Sequence, residues 1–253
     1  MLENSLFQEL RDMEHGIDSV LRIGMHSWRA QAMLPLILPD FQRKYPKLRL
    51  QIFSNVVREM EQMLLRNQLD LFIGHYPAAA PKIRDVFLID EPIYMVISDN
   101  LLKQYFPNIY PRCREDFQHG VNIADFKNVP FILHLESSNM HMAIQKFFAE
   151  NSIFPQSTLQ TNITEMHSAF SAMDYGVSFC PATMLHLIRK NTNLIAQINI
   201  FPILNFTQSC RIAIAYLDGT YLPQYASDFI QSAQLAFSSV IKEPLNNKRA
   251  LNE

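Results

Sequence analysis

Between Leu21 and Gly74 the spacing of apolar residues switches from two to three-and-four and back, which predicts a strand, helix, strand, helix, strand unit. Leu21, Ile23 and Met25 alternate as in a short strand. Ala30, Met33, Leu34, Ile37, Leu38 and Phe41 then form the stripe of a helix packed on a sheet. Tyr45-Pro46 ends that helix, because a residue before proline is pushed out of the helical region. Pro39, four residues after Pro35, removes an internal hydrogen bond and predicts a kink or a late helix start. Leu48, Leu50 and Ile52 alternate again, Val56, Met60, Met63 and Leu64 restore the helical period, and Asn67 falls where a left-handed C-terminal cap is expected. LDLFIG is apolar on both faces and reads as a buried, parallel strand.

The same order of elements returns further on. Phe131 to His134 predicts a strand, followed by a helix with Met140, Ile144, Phe147 and Phe148 on one face. Leu159 to Thr161 is a second strand, Met166, Ala169, Phe170 and Met173 line a second helix, and Val177 to Cys180 is a third strand ended by Pro181. Two units with one order imply two similar α/β lobes, each on a short, largely parallel sheet. Asp90 to Ser98 reads as a strand leaving the first lobe and Ser209 to Leu217 as one returning to it, before a long helix carrying Phe229, Ala233, Phe237 and Val240. Two crossing strands make a hinge of the kind used to close on small ligands. Gln104 to Gly120 reads as a surface loop with a few helical turns.

Composition narrows the functional classes. At 253 residues and 48% hydrophobic the chain is able to bury a full core, and a net charge of −2 advertises neither a nucleic-acid surface nor a polybasic membrane patch. Cys113, Cys180 and Cys210 lie far apart without metal or redox spacing and read as reduced core thiols, which favours the cytoplasm. No apolar run approaches the about 18 residues of a membrane span. Six scattered glycines build neither a phosphate loop nor a dinucleotide fingerprint, and no GxSxG or HExxH occurs. His134 and His141 are not at the spacing that puts two metal ligands on one helix face, and Glu165 and Asp174 are single acids with no visible partner. No cofactor or metal is expected.

LRIG, then LP about ten residues on, a helix closing in YP, a second strand and a short helix running into LDLFIG resemble the start of the effector-binding domain of LysR-type transcriptional regulators. A second anchor is SAFSAMDYGVSFCP, where Gly176, Val177, Phe179, Cys180 and Pro181 match the family pattern; Asp174 and Asn67 stand where glycine is frequent, and both tolerate turn conformations. The resemblance runs from Leu21 to about Val240. It implies a type 2 periplasmic-binding-protein-like fold with lobe I at residues 17–94 plus 216–243, lobe II at 95–215 and a flexible tail at 244–253. It also implies a homodimer or homotetramer, and control of DNA binding through a winged helix-turn-helix that these residues do not include. Leu2, Leu6, Leu10 and Met13 share a helical face before Gly16, so residues 1–16 read either as a surface helix or as the remnant of the family's linker helix. A solute receptor of a transporter and an enzyme of small acids on the same scaffold are the competing functions.

In open α/β sheets ligands lie beyond the carboxyl ends of the strands, against helix N-termini that favour anions. That rule selects His26, Ser27 and Trp28 after the first strand, and Ser137, Ser138 and Asn139, with Glu136, after Phe131 to His134. In the resembled family hydroxyl residues in these two loops contact the effector, which carries over to Ser27 and to Ser137 or Ser138; helix capping is the plainer role for each serine. Asn55, His75 with Tyr76, and Asn162 with Thr164 follow from the same rule. Trp28 offers a wall for an apolar or aromatic body, or simply core; Phe201 and Pro202 line the hinge or simply pack. Arg29 is the arginine near these loops for carboxylate recognition, and His26, His75 and His141 are the histidines to follow for pH dependence. The expected ligand is a small molecule with an acid group.

Overall fold

The computed structural model describes residues 19–75, 81–135, 139–208 and 210–242, without the side chains of Asn139 and Thr158. The linker helix expected at 1–16, the tail at 244–253, and Tyr76, Glu136, Ser137 and Ser138 lie outside the described residues. The chain divides into two compact units, one gathering residues up to Asp90 with Arg211–Val240, the other Glu91–Cys210.

The described elements are β1 (Val20–Met25), α1 (Ser27–Lys44), β2 (Arg49–Phe53), α2 (Val57–Leu65), β3 (Leu71–His75), β4 (Ile83–Glu91), β5 (Ile93–Ser98), α3 (Asp99–Tyr105), α4 (Cys113–Asp116), β6 (Phe131–His134), α5 (Asn139–Glu150), β7 (Ser157–Thr161), α6 (Thr164–Ala172), β8 (Ser178–Pro181), α7 (Ala182–Lys190), α8 (Thr192–Gln197), β9 (Ile198–Pro202), β10 (Cys210–Leu217) and α9 (Gln224–Lys242). In the first unit the strands run in the order β2-β1-β3-β10-β4. β1 is parallel to both β2 and β3, and β10 enters antiparallel to β3. In the second unit β6 and β7 are parallel, β5 is antiparallel to β8 and β9, and a parallel bridge from Phe131 to Val177 sets β6 beside the start of β8. The order β7-β6-β8-β5-β9 therefore repeats that of the first sheet, with one antiparallel strand in the same place.

In the first unit α1 buries Trp28, Ala32, Met33, Leu34, Ile37 and Phe41, and the Phe41 ring meets Phe229 of α9 edge-on at 5.4 Å. Gly24 of β1 admits no side chain, since a Cβ there falls 2.7 Å from Leu69 Cδ1 and 2.9 Å from Phe72 Cβ. Helix α1 starts at Ser27 with no delay and runs through both prolines. Pro35 and Pro39 lie on its exposed side, where water replaces the missing donors, so a late start does not occur. Asn67 is left-handed at φ 57° after α2, and the Gln68 N–H reaches back to the Met63 carbonyl at 2.8 Å.

In the second unit the Phe131 ring stacks on Phe179 at 6.1 Å and meets Phe148 at 5.1 Å. The segment at 104–120 runs along the surface with short helical turns, as expected, but its half-buried rings also pack against this core. Phe106 and Phe117 pack on Phe126, and Phe117 meets the fully buried Phe201 at 5.5 Å, so polar residues masked an aromatic anchor. Asp174 is left-handed at φ 64°, and its carboxylate accepts from Ser98 Oγ at 2.5 Å and Asn100 Nδ2 at 3.0 Å.

Candidate ligand-binding site

In the first unit β1 and β3 lie side by side with Met25 opposite Ile73, so His26, Ser27 and Trp28 share a sheet edge with His75. His26 is the extended N-cap of α1; its side chain makes no capping bond, and its carbonyl accepts from Ala30 N at 2.9 Å. Ser27 is the first helical residue, half-buried, one place past the position from which a serine caps. The first turn of α1 carries no acidic residue, which keeps its N–H end favourable to an anion. Trp28 is 6% exposed, with the buried Arg29 guanidinium 4.3 Å from its ring centre and the His26 ring at 6.1 Å. Asn55 is exposed after β2, its amide 3.5 Å from Met63 Sδ.

In the second unit the parallel strands β6 and β7 end at His134 and Thr161. Around these ends the structure gathers Thr164, which opens α6, with His141 and His167 from the first two turns of α5 and α6. His134 Nε2 lies 3.3 Å from Thr164 Oγ1, and His141 Nδ1 donates to the His134 carbonyl at 2.7 Å. His167 Nε2 donates to the Thr161 carbonyl at 3.4 Å, and Thr161 Oγ1 accepts from Ile163 N at 3.1 Å. The His134 and His167 ring centres are 4.1 Å apart. Burial, then the neighbouring His167 and His141, push His134 down to about 3. Burial also lowers His167, although the Thr161 carbonyl and the Glu165 charge act the other way. Thr164 is buried and Asn162 exposed; Asn139 opens α5.

The expected residues that are described thus fall into two edges, one per unit. Beside them in the second unit stand His134 and His167, a pair that the strand-end rule does not select. The signal was a histidine ending the apolar strand FILH and a second in the first turns of a later helix, legible only once both are assigned to one corner. Among the described residues no group of three or more His, Cys, Asp and Glu is placed to hold a metal. Cys113, Cys180 and Cys210 are buried free thiols, and burial raises the pKa of Cys113 and Cys180, which makes them poor nucleophiles. No described helix is long and apolar enough to cross a membrane.

The family described as LysR substrate binding domain matches residues 14–238. The chain belongs to the LysR family. The chain is 21% identical over 252 residues to the uncharacterized HTH-type transcriptional regulator YcgK of Bacillus subtilis (strain 168), covering 97% of this chain and 76% of that protein. Among solved structures it resembles the BenM effector binding domain with its effector benzoate, with a TM-score of 0.71 and 16% identity over 90% of this chain and 96% of that one. It likewise resembles the effector binding domain of QuiR in complex with shikimate, with a TM-score of 0.67 and 17% identity over 87% and 98%. At such identities the likeness is one of fold. The LysR domain here has the two-lobe, type 2 periplasmic-binding-protein-like architecture, and its curated relatives are transcriptional regulators.

Proposed function

We propose that this LysR domain senses a small organic acid and passes its occupancy to a DNA-binding helix-turn-helix of the same regulator in the cytoplasm. The observation that carries this reading is the pair of polar strand ends, each at a helix N-terminus in a sheet of matching topology. Ser27 and Thr164, with His26, His75, Ser137, Ser138, Asn139 and Asn162, are its contact residues, and Trp28 and Asn55 border them. That BenM and QuiR are solved with benzoate and shikimate supports a carboxylate-bearing effector. Binding shifts the domain only by its differential affinity for two arrangements, and the ligand leaves chemically unchanged.

A thermal-shift screen of small carboxylates against neutral sugars and amines tests the reading. A carboxylate at about 100 times its Kd stabilises by about 2.7 kcal/mol, a rise of roughly 5 to 10 °C at this size. Ser27→Ala and Thr164→Ala each weaken that ligand, and chromatography recovers it intact. Shifts from neutral compounds alone, or turnover of the ligand, defeat the proposal.

The functional form we propose is a homodimer or homotetramer. Supporting it, the outer side of α1 forms an apolar groove of about 590 Å³ with Ile52 of β2, lined by Ala30, Leu34, Pro35 and Leu38. Leu38→Glu is expected to lower the mass measured by light scattering.

A further inference from the structure

The His134–His167 pair carries a consequence independent of any ligand. A carbonyl oxygen only accepts, so the contact with Thr161 puts a proton on His167 Nε2. A neutral His134 is served in the same way by an Nε2–H directed at Thr164 Oγ1. Each ring then keeps a bare Nδ1 lone pair, and these are the atoms that take a second proton. Both Nδ1 atoms are buried and have no hydrogen-bond partner among the described residues, in rings only 2% and 1% exposed. Protonation would bury an N–H with no acceptor and set two cations with ring centres 4.1 Å apart. The groups facing the pair do not relieve this. Among the described residues, His141 of α5 adds positive charge beside His134 when protonated, and Glu165 of α6 offers a negative charge to His167.

We propose that His134 and His167 form a proton-released latch, which fastens β6 to α6 when both rings are neutral and lets that corner open when either ring gains a proton. The closed form excludes a proton that the opened form accepts at the ordinary histidine value of about 6.5. The latch is therefore complete above that value and weakens as pH falls below it. Opening becomes up to roughly tenfold more favourable per pH unit for each histidine. Under the reading of the strand ends given above, acidification also dismantles the second unit's share of the effector site.

The test uses the whole chain without ligand. Long-range nitrogen NMR of the imidazole rings, assigned with His134→Gln and His167→Gln, is expected to show both rings as Nε2–H tautomers still neutral at pH 5.5 in the closed protein. Hydrogen exchange, corrected for its chemical rate, is expected to show the amides of Ile132 and His167 opening roughly tenfold or more often at pH 5.5 than at pH 7.5. The amide of Ile23 in the first unit should change little. A ring that titrates at or above about 6.5, or corner amides whose opening does not change with pH, overturns the latch. If a variant fails to fold, the wild-type ring shifts and exchange ratio decide. Because no effector is added, failure here is separate from failure of the carboxylate screen.

Discussion

The two units share one strand order but not one kind of interior. Charged or polar groups buried in the first unit are Arg29, Glu61 and Asp228, all on helices, beneath a sheet whose buried residues are almost wholly apolar. The second buries His134, Thr164, His167, Ser168, Ser171, Ser178, Thr183, Ser98, Asn199 and Glu91. Several of these are paired: Ser171 Oγ donates to Ser178 Oγ at 2.8 Å, and Glu91 accepts from Thr183 N at 2.9 Å and from the Thr183 hydroxyl. The comparison teaches that topology does not fix the balance of forces. One sheet is held by transfer of apolar surface, which depends little on pH, and the other adds polar pairs that lose their value when a partner is removed or charged.

The contrast breaks first at its common part, the aromatic anchors. Phe131→Ala in the second unit and Phe229→Ala in the first remove fully buried rings and should each cost about 3 to 5 kcal/mol. Hydrogen exchange should rise mainly in the unit that carries the substitution, and a uniform rise in both would show that they unfold together. Next comes Glu91→Ala, which strips the buried N–H and hydroxyl of Thr183 of their acceptor. About 1 to 3 kcal/mol should be lost in urea denaturation.

Acid should then separate the two. Burial raises Asp228, but hydrogen bonds from Lys44, Tyr45 and Gln224, with the Lys44 charge, more than offset it and leave its carboxyl below the ordinary value. A depressed carboxyl contributes stability above its unfolded value of about 3.9 and loses it only as pH falls through the folded value. The second unit, in which His134 and His167 are depressed, weakens already from about 6.5 downward. Circular dichroism between pH 7 and 3 should show its transition first, and Asp228→Asn should change only the step below about pH 4. The smallest effect is at the serine pair: Ser171→Ala should cost about 0.5 to 1.5 kcal/mol, and adding Ser178→Ala should cost little more, because the contact is already lost.

Much of this was legible in the chain because packing against a sheet imposes a period. Met33, Leu34, Ile37 and Phe41 of the helix stripe and the alternating Leu21, Ile23 and Met25 reappear on buried faces, whereas Ala30 and Leu38 turn to the outer side; Asn67 and Asp174 adopt the left-handed conformations their types allow. The aromatic anchor at Phe106 and Phe117 escaped because two rings among polar residues carry no period. The histidine pair escaped for a related reason. His134 and His167 are 33 positions apart in sequence, and only the parallel placement of β6 and β7 brings them to one corner. Strand ends were predictable from topology, whereas the company each polar group keeps depends on long-range packing.

Strand β10 sits between β3 and β4, although more than a hundred residues separate it from either in sequence. During synthesis the first unit therefore waits with a gap in its sheet, and with Phe41 uncovered by α9, until the whole second unit has been made. A chain stopped before Cys210 would expose both unpaired strand edges and an apolar helix face, a form suited to aggregation or chaperone capture. Completion of the first unit thus reports that the ribosome has delivered the second.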